Sequence, residues 1–465
     1  MDIHPKTADA YRLLHEGTLA LARAERQGIR LDTDYIQKQR HRLSKRIELL
    51  EAKFKRSNFY KRWYHSIGNK DPNIYSNAQL SHYLYKVKKL SPLGETTSGQ
   101  GATDENALTQ LNIPELNDIL QIRKLKKIRD TYLEGFAREA VDGVLHPFFN
   151  LHLVKTFRSS SDRPNFQNIP KRDKEAMQIV RKSLYPRKGH QLMEIDYSSL
   201  EVRIAQIYHQ DPVMLKYITD PTTDMHRDMA MQIFILKHFD KTIPEHKTLR
   251  YMAKNGFVFP QFYGDFYKSC AYNIANNHLE LPNGKWKKGM GIAMPEGHIS
   301  DHLIANGIRS IDHFIEHIKA IETDFWQNRF KVYAKWKDQW FAKYIKRGYV
   351  DLKTGFRCSG VMSRNDSINY PIQGAAFHCL LKSFIMADHI IQVEKLKSRL
   401  VGQIHDSMIL DVHPSEVEHI AHVVHNVTCS QLLKEWPWIT VPLEVEMDLG
   451  GIDESWVSLK PYSLP

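Results

Sequence analysis

Two aspartates drawn from opposite halves of the chain constrain its fold most strongly. Asp196 ends the apolar run Leu192-Met193-Glu194-Ile195. Asp406 lies inside Val401-Gly402-Gln403-Ile404-His405-Asp406-Ser407-Met408-Ile409-Leu410. The first run reads as a strand followed by a helix over 199–210, and the second as strand, turn, strand over 400–412. Taken singly, an aspartate at a strand end is most often a cap or turn residue. A pair raised on neighbouring strands of one sheet is different. Hard divalent cations need rigidly held carboxylate oxygens, and phosphoryl transfer needs a metal pair about 4 Å apart. The chain must then bring distant strands side by side in a mixed α/β core.

What surrounds that core reads as helical. Residues 8–60 carry Leu13, Leu14, Leu19, Leu21, Ile36, Leu43, Ile47 and Leu50 at helical spacing, broken by Gly28-Ile29-Arg30-Leu31-Asp32. A basic run follows the break: Lys38, Arg40, Arg42, Lys45, Arg46, Lys53, Lys55, Arg56, Lys61 and Arg62, ending near Tyr60, Trp63 and Tyr64. Such a run is either a solvated helix face or a phosphate-contacting one. A polar loop over 92–104 leads to a second helical hairpin ending near 140. The middle, roughly 225–345, is again helical with a Gly-rich interruption at 283–297. A helical lobe, a mixed core and a helical insertion between the two halves of that core result.

Formal net charge is +12, which fits a polyanion partner because clustered cations gain affinity for phosphates by counterion release. The four cysteines (Cys270, Cys358, Cys379 and Cys429) lie far apart without a CxxC pair, which argues against a disulfide framework or a zinc knuckle. There is no run of 18 apolar residues and no signal pattern at Met1-Asp2-Ile3-His4, so the expectation is a soluble cytoplasmic protein with no membrane partner.

Arg250 and Lys254, four apart, project from one helix face, and Asn255-Gly256-Phe257-Val258-Phe259-Pro260-Gln261-Phe262-Tyr263-Gly264 sets aromatic rings beside them. Cations for a polyphosphate with rings for a base or sugar suit a nucleotide site. No GxxxxGK[ST] is present, so a P-loop is not the phosphate holder.

These segments together resemble family A DNA polymerases. Asp196-Tyr197-Ser198-Ser199-Leu200-Glu201-Val202-Arg203 is similar to motif A, DYSxxExR. Arg250 to Gly264 is similar to the motif B helix, and His405-Asp406 to motif C, usually HDE. Arg158-Ser159-Ser160 with Pro164-Asn165-Phe166-Gln167-Asn168-Ile169-Pro170 resembles the segment before motif A. Asp224-Met225-His226 resembles the DxH, and Asn369-Tyr370-Pro371-Ile372-Gln373-Gly374 the NxPxQG. The six stand in family order, and the resemblance runs from about residue 8 to 456.

The resemblance implies an α+β polymerase right hand: a palm of antiparallel sheet plus helices, helical fingers and a helical thumb. The expected division is a remnant helix over 1–30, thumb 31–145, palm 146–225, fingers 226–345 with an insertion near 265–322, and palm again over 346–465. It implies template-directed DNA synthesis by two-metal nucleotidyl transfer from dNTP to a primer 3′-hydroxyl, with two Mg²⁺ ions for which Mn²⁺ can substitute. Asp196, Asp406 and the Tyr197 carbonyl would hold the metals. Arg250, Lys254 and His226 would grip the triphosphate, with Lys254 donating a proton to the leaving group. Phe259 would pack on the incoming base or sugar, Glu201 would close the sugar pocket against a 2′-hydroxyl, and Tyr263 would stand beside that pocket and the templating base. Arg158, Asn165, Gln167, Arg172, Asn369, Gln373 and His405 would contact primer–template DNA.

Three departures from the family pattern stand out. Lys254 to Tyr263 is nine residues where eight are usual. One insertion rotates everything beyond it on a regular helix, so a π-bulge or short unwound stretch is expected near 256–260, aided by Pro260. Counting back from Tyr263 makes Phe259 the packing aromatic; counting forward from Lys254 makes it Val258, and Phe259 is preferred. Ser407 replaces the usual Glu of motif C, and Arg364 lies five residues before Asn369 instead of four. No DxE motif precedes residue 150, so proofreading is expected to be missing or supplied by a separate exonuclease polypeptide, and a processivity subunit is a further candidate partner. The compact form with its FVFPQFYG segment resembles phage-encoded members, which would place it in a host cytoplasm. The competing readings are a single-subunit RNA polymerase, a metal-dependent nuclease and a non-catalytic DNA-binding remnant. The DYSxxE context weighs against the first and the triphosphate-gripping helix against the second, while retention of both aspartates weighs against the third.

Overall fold

The break at Gly28–Asp32 does what its residues dictate. A helix over Thr7–Gln27 stops there, Ile29–Leu31 forms a short strand, and the Asp32 carboxylate accepts the Tyr35 amide at 2.8 Å to cap the helix Thr33–Arg56. The computed structural model describes residues 7–92, 94–96, 99–171 and 173–464. These fold as two units. One comprises Arg30–Leu145 with Ile169–Tyr185, and the other takes in the N-terminal helix, His146–Asn168 and Pro186 onward. Residues 169–185, placed by the sequence boundaries with 146–225, therefore fold with the helical unit.

The helical unit is built on Thr33–Arg56 packed against Pro114–Lys126, with Ile36, Leu43, Ile47 and Phe54 facing Leu116, Ile119, Ile122 and Leu125. Its basic run divides. Arg40 pairs with Glu134, Arg46 with Glu175 at 2.7 Å and Lys53 with Asp118 at 2.7 Å. Lys38, Arg42, Lys45, Lys55, Arg56, Lys61 and Arg62 are exposed.

The other unit contains a five-stranded antiparallel sheet. Its strands are β1 (Gln191–Tyr197), β2 (Arg399–Ile404), β3 (Ser407–Val412), β4 (Val445–Leu449) and β5 (Lys460–Tyr462), in spatial order β2-β3-β1-β4-β5. Strands β1 and β3 are almost wholly buried, and a helix covers one face, where the Tyr197 and Ser383 hydroxyls share a hydrogen bond of 2.8 Å. After β1 comes α1 (Leu200–His209). A second apolar core spans Met214 to Tyr333 and is mostly helical, with Leu281, Trp286 and Ile308 contributed by loops and the hairpin Ala293–Met294/Gly297–His298 falling at the end of the Gly-rich interruption. It contains α2 (Met225–Ile233), α3 (Pro244–Ala253) and α4 (Phe259–Tyr263). Then α5 (Lys331–Arg347) leads to α6 (Arg364–Val393), whose start is fixed by a capping box between Ser363 and Asp366.

Candidate active site

The register of the sheet puts the two aspartates together. Ser407 is the direct cross-strand partner of Asp196, and the Tyr197 amide donates to the Asp406 carbonyl at 3.1 Å. Asp406 occupies the two-residue turn between β2 and β3, beside His405, whose φ of +52° is uncommon for a side chain with a Cβ. Both carboxylates are half-buried at the same end of the sheet. The Ser407 hydroxyl donates to the Ile404 carbonyl at 2.9 Å, so the residue standing in for the family Glu serves the turn. Across β1 on the other side stands Glu446, in register with Asp196 and exposed, an acid that the motifs did not flag.

The turn from β1 into α1 is held by Arg203, the last residue of motif A. Its Nε donates to the Ser198 carbonyl at 2.9 Å, one Nη to the Pro442 carbonyl at 2.6 Å, and the other to Glu444 at 2.6 Å. Arg203 is buried, so its place in the motif is structural: it pins the turn that presents Asp196 and Glu201. Tyr197 points its ring into the core, where burial pushes its phenol well up, while its backbone amide meets the Asp406 turn.

Motif B contains the expected wide turn, displaced slightly toward its start. Residues Lys254–Val258 form a π-helical turn closed by the Phe259 amide donating to the Lys254 carbonyl, and α4 begins at Phe259. Pro260 falls in the first turn of α4, where a missing N–H costs nothing. Gly256 is needed here: a Cβ on it would lie 2.5 Å from Cγ1 of the buried Ile274. The extra residue sends Val258 into the core, fully buried, and leaves Phe259 half-buried beside the cations. The Lys254 Nζ lies 5.1 Å from the Phe259 ring centre, and the His226 ring meets Phe259 edge-on at 5.8 Å.

Arg250 is oriented by Asp224, its Nε donating at 2.7 Å, while the other Asp224 oxygen caps α2 through the Arg227 amide. Both bonds help to hold Asp224 below the usual carboxylate range despite its burial. His226, in the first turn of the same helix, has its basicity pushed down to about 4, mainly by burial and then by Lys254 and Arg250. Its Nδ1 is buried without a hydrogen-bond partner, a polar atom that an anionic ligand could satisfy.

A third cluster joins α1 to α4. The Tyr263 hydroxyl donates to Glu201 at 2.5 Å, and Arg158 forms an ion pair with the other Glu201 oxygen. The Asn369 amide donates to the Tyr263 carbonyl at 3.4 Å. Gln167 donates to Ser159 at 2.7 Å, and Gln403 shares that same hydroxyl, a neighbour sequence reasoning missed. The Asn165 side chain accepts the Gln167 amide at 3.1 Å, shaping that loop. Gln373 stands half-buried on α6 next to Gly374, whose Cβ position lies 2.4 Å from the Thr156 carbonyl. Arg364, one residue early for the family, pairs with Asp338 at 2.5 Å. Arg172 lies outside the described residues.

The described residues contain no group of three or more His, Cys, Asp or Glu that could hold a metal ion by themselves. A pair of carboxylates suits Mg²⁺, which keeps part of its shell for water and substrate phosphates instead of filling an all-protein cage.

Comparison with known proteins agrees with this geometry. The chain is 28% identical over 404 residues to DNA polymerase I of Lactococcus lactis, covering 85% of this chain and 41% of that protein. It is 28% identical over 446 residues to the thermostable DNA polymerase I of Thermus filiformis, covering 95% and 47%. For the Aquifex aeolicus DNA polymerase I the figures are 29% over 387 residues, 82% and 58%. The chain thus spans about half the length of these relatives. Among solved structures, the polymerase domain of Pol1 from M. smegmatis, in complex with DNA primer-template and dNTP, superposes with a TM-score of 0.72 at 23% identity, over 95% of this chain and 70% of that one. The fold is therefore the α+β right hand of a polymerase domain. The sequence profile described as DNA polymerase family A matches residues 33–279 and 308–457, leaving 280–307 outside it. A sheet that pairs Asp196 with the Asp406 turn, a widened Arg250–Tyr263 helix and a profile match over most of the sequence have one common explanation: this chain belongs to DNA polymerase family A.

Proposed function

We propose that this chain carries out template-directed DNA synthesis, transferring a nucleotide from dNTP to a primer 3′-hydroxyl with release of pyrophosphate. The observation that carries the reading is the register of β1 and β3, which sets Asp196 beside Asp406 at the end of the sheet from which α1 leads to Glu201. In this reading Asp196, Asp406 and the Tyr197 carbonyl bind two divalent cations, Mg²⁺ or Mn²⁺, whose chemistry is to acidify the primer hydroxyl and neutralise the departing pyrophosphate. Arg250 and Lys254 bind the triphosphate oxygens, and the partnerless His226 Nδ1 offers a further polar contact. Lys254 supplies a proton to the leaving group. Phe259 packs against the incoming nucleotide, whose binding would take up the ring now shared by Lys254 and His226.

Glu201, held by Tyr263 and Arg158, closes the sugar pocket by collision with a 2′-hydroxyl, which favours the DNA over the RNA polymerase reading. Arg158, Asn165, Gln167, Gln373, Asn369, His405 and Arg172 contact primer–template DNA, where minor-groove acceptors common to all pairs report shape without sequence. The helical unit acts as thumb, the sheet as palm and the Met214–Tyr333 core as fingers. The exposed cations of the helical unit then meet backbone phosphates. A separate exonuclease or processivity subunit would complete the activity.

Primer extension on a primed DNA template with Mg²⁺ and either dNTPs or rNTPs, comparing the protein with Asp406→Ala, tests this. Extension with dNTPs that disappears in the variant is expected. Extension with rNTPs would assign an RNA polymerase, and shortening of the primer a nuclease.

A further inference from the structure

Helix α5 carries a charge pattern that the reaction described above does not use. At 100° per residue, Lys331, Lys335, Lys343 and Lys346 fall within roughly 120° of one another, and they extend along about 22 Å of helix. All four are exposed, and none makes an ion pair or hydrogen bond among the described residues. The opposite side of the helix is aromatic and fixed: Tyr333 and Tyr344 are buried, and the Trp340 indole donates to the Ser367 carbonyl at 2.9 Å. The one acid on the helix, Asp338, is taken up by Arg364 at 2.5 Å. Four unpaired lysines are thus displayed on a helix that cannot easily turn away.

The same helix reaches the candidate active site. A cavity of about 260 Å³ is lined by Tyr263, Gly264, Lys337, Asp338, Arg364 and Asn365. Lys337 faces into it, its Nζ 3.2 Å from the Trp326 ring centre. Ala334, Lys337 and Asp338 border the cavity, so the lysine face runs along the outer side of the helix that passes Tyr263.

We propose that the lysine face of α5 is a track for the sugar–phosphate backbone of the single-stranded template ahead of the site. This rests on the polymerase reading, because it takes Tyr263 to mark where the template turns into the active site. Unpaired, evenly displayed cations on a rigid helix gain affinity for a polyanion by counterion release without a folding cost. Contacts of this kind carry no sequence preference.

The test uses the combined substitutions Lys331→Gln, Lys335→Gln, Lys343→Gln and Lys346→Gln, all exposed positions given a good helix former. Binding is measured by fluorescence anisotropy against salt on two primer–templates, one with a single-nucleotide 5′ template overhang and one with a long overhang. Single-nucleotide extension is measured on the short one. The expected result is that wild type binds the long overhang more tightly and that the variant loses this gain. Its salt slope on the long overhang should fall by about 3, four contacts at about 0.7 each for a single strand. Binding and extension on the short overhang should stay at the wild-type level. Equal affinities for wild type and variant on the long overhang, or an equal loss on both substrates, would overturn the proposal. Wild-type binding of poly-glutamate as tight as binding of the long overhang, lost with it in the variant, would assign the face to an acidic protein and also overturn it. Absence of wild-type extension on the short overhang would count against the polymerase reading itself, which separates the two failures.

Discussion

Gly374→Ala isolates the close approach on which the residues proposed to contact DNA depend. A Cβ at this position would stand 2.4 Å from the Thr156 carbonyl oxygen and 2.6 Å from a Leu352 methyl. The methyl can rotate aside, but the carbonyl is backbone, so α6 and the Thr156–Arg158 segment must part by nearly 1 Å. Overpacking of this kind costs about 3 kcal/mol at the upper end of its usual range, and replacing a mid-helix glycine with alanine returns about 1 kcal/mol. The net loss should be about 2 kcal/mol, read as a lowered urea midpoint from tryptophan fluorescence. The functional loss should be larger, because Gln373 and Arg158 sit on the two surfaces forced apart. A displacement near 1 Å costs on the order of 100-fold in rate, measured as single-turnover primer extension. Gly135→Ala is the control: the nearest atom to its Cβ position is 3.9 Å away, so the same substitution should leave stability unchanged or raised. If Gly374→Ala unfolds and extends like wild type, the close approach is not the constraint, and the reasoning fails.

Arg203→Ala removes a buried guanidinium with three acceptors, and about 3 kcal/mol of stability should go with it, seen in thermal unfolding of the apo protein. A loss under 1 kcal/mol would mean that the β1–α1 turn holds itself. Glu201→Ala should raise ribonucleotide incorporation relative to deoxyribonucleotide by roughly 10- to 200-fold, checked by competing dNTP and rNTP on one template. An unchanged ratio would move the sugar gate elsewhere. His209 and His378 are buried, and burial pushes both down to about 3. Unfolded, they take up protons near pH 6.5 while the folded chain does not, so stability is intact above that value and falls as pH drops from 6.5 toward 3. By pH 5 each should have cost about 2 kcal/mol, and equal urea midpoints at pH 7 and 5 would refute this. Asp224→Asn keeps much of the cap on α2 but removes the charge orienting Arg250. It should raise KM for dNTP more than it lowers kcat, and the reverse split would place Asp224 in the chemistry.

Much of this was legible in the sequence because it is written in short-range terms. The helix break at Gly28–Asp32, the strand before Asp196, the hairpin around Asp406 and the need for a wide turn in motif B each follow from spacing, capping and hydrophobic pattern within about a dozen residues. The wide turn shows the limit. Counting residues demanded one extra position near 256–260. Only packing set it at Lys254–Val258, where Gly256 lets the helix close on Ile274 and Val258 is buried in place of Phe259.

Sequence alone fixed which side chains were available for chemistry and roughly what element carried each one. It could not fix what each side chain touches, because those partners come from segments far away in the chain. Glu446 beside Asp196, Gln403 on the Ser159 hydroxyl, and the Pro442 and Glu444 acceptors of Arg203 depend on which strand lies next to which. The same holds for the basic residues, identical in sequence terms until partners appear. Arg40, Arg46 and Lys53 are used in ion pairs, whereas Lys331, Lys335, Lys343 and Lys346 are left to solvent. Local pattern sets backbone conformation because its interactions span a few residues; pairing across the fold sets function because desolvation and charge act through space.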